Sequence, residues 1–358
     1  MRIGIYDPYL DDGGGGEKYM MNIVQCLSKD NAVDIFWNNK VDLETIAHRF
    51  GIDFSKTKLA PNIFAPGVSV INRMLATKKY DAIFFLSDGS IPLVLSKKLF
   101  IHIQQPLEQM QTGSLLSRIK LSRVNLFFCN SEFTRSFISG KFGLKTAILY
   151  PPVELKAKNI KKENIILHVG RFRVKDVISK AGDYKKQSVM IDTFKDMVKK
   201  GLKNWKFVLA VSVLEKDQEA FNEMAKKAKD FPIEFIINQT NEKLWEVYSK
   251  AKIYWHASGF GEDLQKHPEF AEHFGISTVE AMGGGAVPVV INAGGQKEIV
   301  TEGKNGFLWD TVDELKDKTL RLINDKKLIT KLSSDAKKSS EKFSEINFCQ
   351  KINDLLND

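Results

Sequence analysis

Short apolar runs alternate with helix-length amphipathic stretches along the first half of the chain. Arg2–Tyr6, Val33–Trp37, Ala82–Leu86, Leu99–Ile103, Leu126–Cys129 and Ala147–Leu149 are the runs, and a helix is predicted from Gly16. Nearly continuous apolar runs mark strands buried on both faces, so the alternation predicts a parallel sheet wrapped by helices. Tyr150-Pro151-Pro152-Val153 interrupts it, and the polar, Lys-rich stretch 154–164 has the composition of a linker. The pattern then restarts. Strands are predicted at Ile165–Val169, Phe207–Ser212, Glu234–Ile237, Ile253–His256 and Val287–Ile291, with helices around 186–200, 215–229, 241–250, 276–283 and 295–300.

Two Rossmann-like α/β halves follow, residues 1–153 and 165–340. Helical periods continue through 312–324, 326–342 and 345–356, more than the second sheet needs, so the segment 341–358 is read as a helix returning to the first domain. In such folds ligands meet the carboxyl ends of the strands, which directs attention to a cleft between the domains.

Composition narrows the class without changing the architecture. A chain of 358 residues with 43% apolar and 27% charged positions is an ordinary folded protein of two-domain size. No apolar stretch reaches the ~18–20 residues of a membrane span, and Met1-Arg2-Ile3-Gly4-Ile5-Tyr6 lacks the form of a signal peptide, so a cytoplasmic location is expected. Cys26, Cys129 and Cys349 lie far apart at no metal spacing, and buried free thiols are expected.

The net charge of +9 is spread over lysines such as Lys195, Lys199, Lys200, Lys226, Lys227 and Lys229 on predicted helix faces, as on a solvated surface. No nucleic-acid-binding signature accompanies it. A phosphate-bearing substrate or an anionic membrane remains open as its partner. Leu115 to Arg123 mixes apolar and basic residues at helical spacing, which suits either packing on the core or peripheral contact with an anionic bilayer.

Chemistry first enters at Asp11-Asp12-Gly13-Gly14-Gly15-Gly16-Glu17, between the first strand and helix. Glycines there allow close backbone approach, and a helix start favours an anion. The spacing matches neither the dinucleotide fingerprint, since Lys18 stands at the third glycine position, nor the P-loop. His102 ends a strand at the sheet's carboxyl edge, where a structural role competes with a ligand contact. Arg171 occupies the corresponding edge of the second sheet, and Lys185-Lys186 opens the next helix; a planar guanidinium and a compact ammonium together suit a diphosphate. Surface solvation explains either one alone.

The richest segment is Glu272-His273-Phe274-Gly275-Ile276-Ser277-Thr278-Val279-Glu280-Ala281-Met282, running from a loop into a helix. Gly275 permits a tight turn, the following N–H groups face an approaching anion, and Glu280 sits about one turn inside, in reach of a ribose diol. Ala293-Gly294-Gly295 and Glu298 form a second glycine turn at a helix start.

These residues resemble the retaining GT-B glycosyltransferases of family GT4, whose E-x7-E element is matched by Glu272 and Glu280. The resemblance runs through nearly the whole chain, taking in the glycine-rich loop, Asn130 to Thr134, Tyr150 to Val153, Val169-Gly170-Arg171, the lysine before Gln187 and the glycine pair before Glu298. EHFGI, with Ile101-His102 upstream, is similar to the α-1,2-mannosyltransferase branch acting in lipid-linked oligosaccharide assembly. Insertions at 173–184 and 258–270 depart from the family pattern, next to the donor pocket.

The resemblance implies retaining, metal-independent transfer of a hexosyl unit, mannose favoured, from a GDP- or UDP-linked donor to a glycan, lipid-linked or small-molecule acceptor. Polysaccharide or glycolipid synthesis is the setting it implies. Arg171 and Lys185 would hold the diphosphate, Glu280 the ribose, Glu272 the hexose, and His102 the sugar near its reacting carbon. Gly275 and Ile276 would offer amides, and Gly15 with Gly16 would close over the phosphates. No cofactor or metal is implied. Competing readings are glucose or N-acetylglucosamine transfer from a UDP-sugar, a non-catalytic sugar-nucleotide binder, and an NAD-dependent Rossmann oxidoreductase.

Overall fold

A computed structural model describes residues 1–11, 15–110, 113–174 and 183–357, with the backbone alone for Arg49. The chain forms two compact units. The first contains strands β1 (Arg2–Tyr6), β2 (Ala32–Phe36), β3 (Thr57–Ala60), β4 (Ala82–Leu86), β5 (Lys98–Ile103), β6 (Leu126–Cys129) and β7 (Thr146–Ile148). Its helices are α1 (Gly15–Leu27), α2 (Lys40–Phe50), α3 (Val70–Thr77), α4 (Leu115–Leu121) and α5 (Glu132–Phe142).

The second unit, from Val153 to Ser344, holds β8 (Ile165–Phe172), β9 (Lys206–Val213), β10 (Ile233–Ile237), β11 (Ile253–His256), β12 (Val287–Ile291) and β13 (Phe307–Trp309). Around them lie α6 (Gln187–Lys199), α7 (Gln218–Lys227), α8 (Asn241–Lys250), α9 (Ile276–Gly283), α10 (Gln296–Ile299), α11 (Val312–Asn324) and α12 (Lys326–Ser340). The last helix, α13 (Glu345–Asn357), belongs to the first unit.

Both sheets are parallel, in the orders β3-β2-β1-β4-β5-β6-β7 and β10-β9-β8-β11-β12-β13, so the chain has the two Rossmann-like sheets of the GT-B class. The central strands β4 and β12 are buried at every position, which is why they read as unbroken apolar runs. Period-2 alternation sends their side chains to opposite layers. In the first unit Phe84 packs with Met20, Ile23 and Val24 of α1 and Phe348 and Ile352 of α13, whereas Ile83 and Phe85 pack with Phe64, Leu99 and Ile138.

Strand order reverses between β1 and β4 in one sheet and between β8 and β11 in the other. The crevice outside the carboxyl ends at such a switch point receives ligands in open α/β sheets.

The cysteine expectation is corrected. Only Cys129 is a buried free thiol; Cys26 of α1 and Cys349 of α13 form a disulfide, with Cα atoms 5.1 Å apart. The helices lie side by side although 323 residues separate the two cysteines, a proximity created by tertiary packing alone. Residues 154–164 belong to the second unit, where the Lys158 amide donates to Ser249 Oγ and Lys162 Nζ donates to the carbonyls of Ala251 and Gly284. Among the described residues no helix is long and apolar enough to cross a membrane.

Candidate active site

The switch point of the second sheet lies between β8 and β11. Arg171 stands at the end of β8 and His256 ends β11, so both emerge at the carboxyl edge. Arg171 is exposed and forms no ion pair with a described residue. After β11 the chain reaches Glu272, turns at Gly275 (φ +121°) and enters α9, which has no side-chain cap at its start. First-turn amides of a helix lack intrahelical acceptors, so those beside Gly275 and Ile276 are suited to an anion. Gly275 is required sterically as well as by its φ: a Cβ there would stand 2.6 Å from Gln296 Nε2.

Glu272 is held at both ends. Its carbonyl accepts from the Gly295 amide at 2.8 Å, and a Cβ on Gly294 would come within 2.4 Å of the same oxygen, so the Gly294-Gly295 turn fixes the backbone. Its carboxylate receives two donors on one atom: Lys185 Nζ lies 2.6 Å and His256 Nε2 3.0 Å from Oε2. Lys185 also sits 4.8 Å from the centre of the Tyr184 ring.

Charge states follow from these contacts. Burial disfavours the Glu272 carboxylate, but Lys185 and His256 outweigh it and hold the group well below the usual carboxylate range. Burial likewise opposes the Lys185 ammonium, and Glu272 more than restores it. Burial pushes His256 down against the pull of Glu272, so the imidazole is neutral, donates its Nε2 proton to Glu272 and keeps Nδ1 bare. The cluster carries one cation, one anion and one neutral donor. Lys186, by contrast, pairs with Glu262.

One turn into α9, Glu280 accepts a hydrogen bond from Tyr248 Oη at 2.8 Å. Tyr254 Oη donates to Ser277 Oγ at 2.8 Å, and Thr278 Oγ1 donates to Gln296 Oε1 at 2.9 Å. A buried polar scaffold thus sits under the helix start. His168, three residues before Arg171 on β8, donates Nδ1–H to the Trp255 carbonyl at 3.0 Å, and burial drives it down to about 3.

His102, Gly15 and Gly16 belong to the first unit. His102 is fully buried between the rings of Tyr19 (4.3 Å) and Phe128 (4.8 Å), and burial lowers it to about 3. Its Nδ1–H donates to the Phe128 carbonyl at 3.2 Å, leaving Nε2 a bare acceptor without a partner among the described residues. Gly15 and Gly16 open α1, and a Cβ on Gly16 would strike Gln104 Oε1 at 2.1 Å. Gly13 and Gly14 of the same loop lie outside the described residues, as does most of the insertion 173–184.

The structure therefore brings Lys185, Glu272, Gly275, Ile276 and Glu280 around one helix start, with Arg171 near enough for its charge to act on Lys185. Sequence reasoning missed His256, Tyr248 and Gln296. His256 had a usable signal, a polar residue ending a strand at the carboxyl edge, the same signal that singled out His102. Tyr248 had none, because its contact with Glu280 crosses from another helix.

Comparison with known proteins adds a family. The family described as Glycosyl transferases group 1 matches residues 153–339. A protein of Dictyostelium discoideum named GDP-Man:Man(3)GlcNAc(2)-PP-Dol alpha-1,2-mannosyltransferase is 26% identical over 304 residues, covering 78% of this chain and 55% of that protein. The chain thus matches little more than half of that relative's length. A protein of the same name from Xenopus laevis is 26% identical over 397 residues, covering 87% of this chain and 78% of that one. Among solved structures, Anabaena Alr3699/HepE in complex with UDP superposes with a TM-score of 0.69 over 100% of both chains at 18% identity, a likeness of fold.

Proposed function

Because the chain belongs to the glycosyl transferases group 1, whose match spans residues 153–339, we propose that it transfers a hexosyl unit, mannose favoured, from a nucleotide-sugar donor with retention of configuration and without a metal. The carrying observation is the start of α9: an uncapped helix terminus with Lys185 fixed on Glu272 to one side and Glu280 one turn inside. Arg171 and Lys185 hold the donor diphosphate, and the amides of Gly275 and Ile276 add fixed dipoles. Glu280, oriented by Tyr248, accepts from the ribose hydroxyls. Glu272 accepts from hexose hydroxyls through Oε1.

Breaking the bond from the anomeric carbon to phosphate oxygen places negative charge on the departing diphosphate. Fixed cations and amide dipoles stabilise that charge more in the transition state than in the donor. The acceptor oxygen bonds to the anomeric carbon on the face the phosphate leaves, and its proton passes to the leaving phosphate oxygen. Glu272 does not take that proton in this scheme; with Lys185 and His256 on it, it is a permanent anion and a poor base.

GDP-mannose is the favoured donor, supported by the names of the Dictyostelium and Xenopus relatives, and a lipid-linked oligosaccharide or another glycan the favoured acceptor. UDP-linked glucose or N-acetylglucosamine is the second reading, supported by the UDP bound to the Anabaena neighbour. A lipid-linked acceptor fits peripheral membrane contact through the first unit. Leu115, Leu116 and Ile119 of α4 are 77%, 54% and 50% exposed beside Arg118, and Val70, Ile71 and Leu75 of α3 are also exposed. An anionic bilayer satisfies apolar and basic residues together.

A thermal-shift screen of sugar nucleotides tests the donor assignment. A ligand at several hundred times its dissociation constant stabilises the fold by ~3–4 kcal/mol. GDP-mannose is expected to raise the melting temperature more than UDP-glucose, and a response to neither would remove the donor site.

A further inference from the structure

We infer that His256 is a positioning residue that locks the Glu272 carboxylate in one orientation, so that Oε2 is consumed inside the protein and Oε1 alone is presented to the transferred sugar. Two donors converge on Oε2, Lys185 Nζ at 2.6 Å and His256 Nε2 at 3.0 Å, whereas Oε1 has no hydrogen bond among the described residues and is not enclosed. His256 is fully buried at the end of β11, its strand paired with both β8 and β12, so its ring cannot follow a moving ligand. Lys185 differs: it stands on the segment leading into α6 and, as a flexible cation, would otherwise draw the carboxylate toward itself wherever it goes.

A donor anchored on a central strand and an ammonium carried on a long aliphatic stem thus share one oxygen and have separable roles. When a diphosphate competes for Lys185, the histidine keeps Glu272 in place. His256 touches no part of the sugar in this scheme. It acts through Glu272, and the role rests on the nucleotide-sugar reading given above.

The test compares His256→Phe, which retains an aromatic ring and loses the donor, with His256→Gln, whose amide Nε2–H can reach the same oxygen. Steady-state kinetics with GDP-mannose and UDP-glucose is measured alongside binding of free GDP and UDP. His256→Phe is expected to lower kcat/KM for the used donor by roughly 100-fold, the scale of losing ångström-level orientation. Affinity for the free nucleoside diphosphate should stay within twofold, because that ligand has no sugar to meet Glu272. His256→Gln should recover most of the loss.

Unchanged kcat/KM in His256→Phe overturns the inference. So does a fall in nucleoside diphosphate affinity as large as the fall in kcat/KM, which marks general damage to the unit. Absence of donor turnover in the wild-type protein overturns the functional reading itself and this role with it, an outcome distinct from an active wild type matched by an active variant.

Discussion

Tyr248, buried on α8, donates its hydroxyl to Glu280 of α9 at 2.8 Å, so a side chain from a neighbouring helix aims the glutamate assigned to the ribose. A hydrogen bond to a charged group contributes ~1.5–3 kcal/mol. Tyr248→Phe should therefore weaken GDP or UDP binding about tenfold and lower the melting temperature by several degrees, while the ring still fills its place and the chain stays folded. Calorimetric titration checks this; unaltered affinity would detach Glu280 from the nucleoside.

Arg171 and Lys185 separate on stability although both are assigned to the diphosphate. Arg171 is exposed and unpaired among the described residues, so Arg171→Ala should change unfolding free energy by less than about 0.5 kcal/mol. Lys185→Ala strands the Glu272 carboxylate, a loss of about 3–5 kcal/mol for a broken buried pair. Denaturant unfolding of both, with the double variant Lys185→Met/Glu272→Gln regaining part of the loss, tests the contrast. Equal destabilisation by the two single variants contradicts it.

The buried histidines set an acid limit. Burial holds His102 and His168 at about 3 and His273 at about 4, all below the ordinary 6.5. A folded-state value lowered in this way favours the native state above the unfolded value and disfavours it as pH falls, because only the unfolded chain takes up the proton. At pH 5 each histidine lowers stability by about 2 kcal/mol relative to pH 8. Melting temperature should fall steadily from pH 6.5 to 5, and His168→Gln should flatten the slope. A profile flat to pH 5 would mean that these rings are protonated in the native state.

The Cys26–Cys349 bond fastens α13 onto α1, the helix that Gly15 and Gly16 open. Cross-links closing long loops contribute 2–4 kcal/mol in typical cases. Protein purified under oxidising conditions should give a linked Cys26–Cys349 peptide on non-reducing mass mapping and lose several degrees of melting temperature on reduction, with Cys129 unchanged. Two alkylatable thiols at 26 and 349 in the unreduced protein would refute the pairing.

The sheets were readable because β4, β5, β11 and β12 are enclosed on both faces and hence appear as apolar runs. β3 and β13 escaped notice for physical reasons. β3, Thr-Lys-Leu-Ala, is an edge strand with no buried residue, and β13 is a three-residue edge strand set between the Gly303-to-Gly306 turn and α11. At the site, loop-to-helix chemistry made Glu272, Gly275 and Glu280 visible, since a glycine at a helix start has a local signature. The partners that orient them come from distant strands and helices. His256 and Tyr248 lie 16 and 32 residues from the glutamates they contact, so only the folded chain reveals their roles.

Release of nucleoside diphosphate from GDP-mannose, followed with and without excess EDTA in the presence of a lipid-linked or glycan acceptor, decides whether the site transfers a sugar without a metal. Turnover is expected that chelation leaves unchanged and that Arg171→Ala lowers by at least roughly 100-fold, the scale of removing a charge stabiliser from the transition state. Turnover abolished by EDTA, or undiminished in Arg171→Ala, contradicts metal-free transfer at this site.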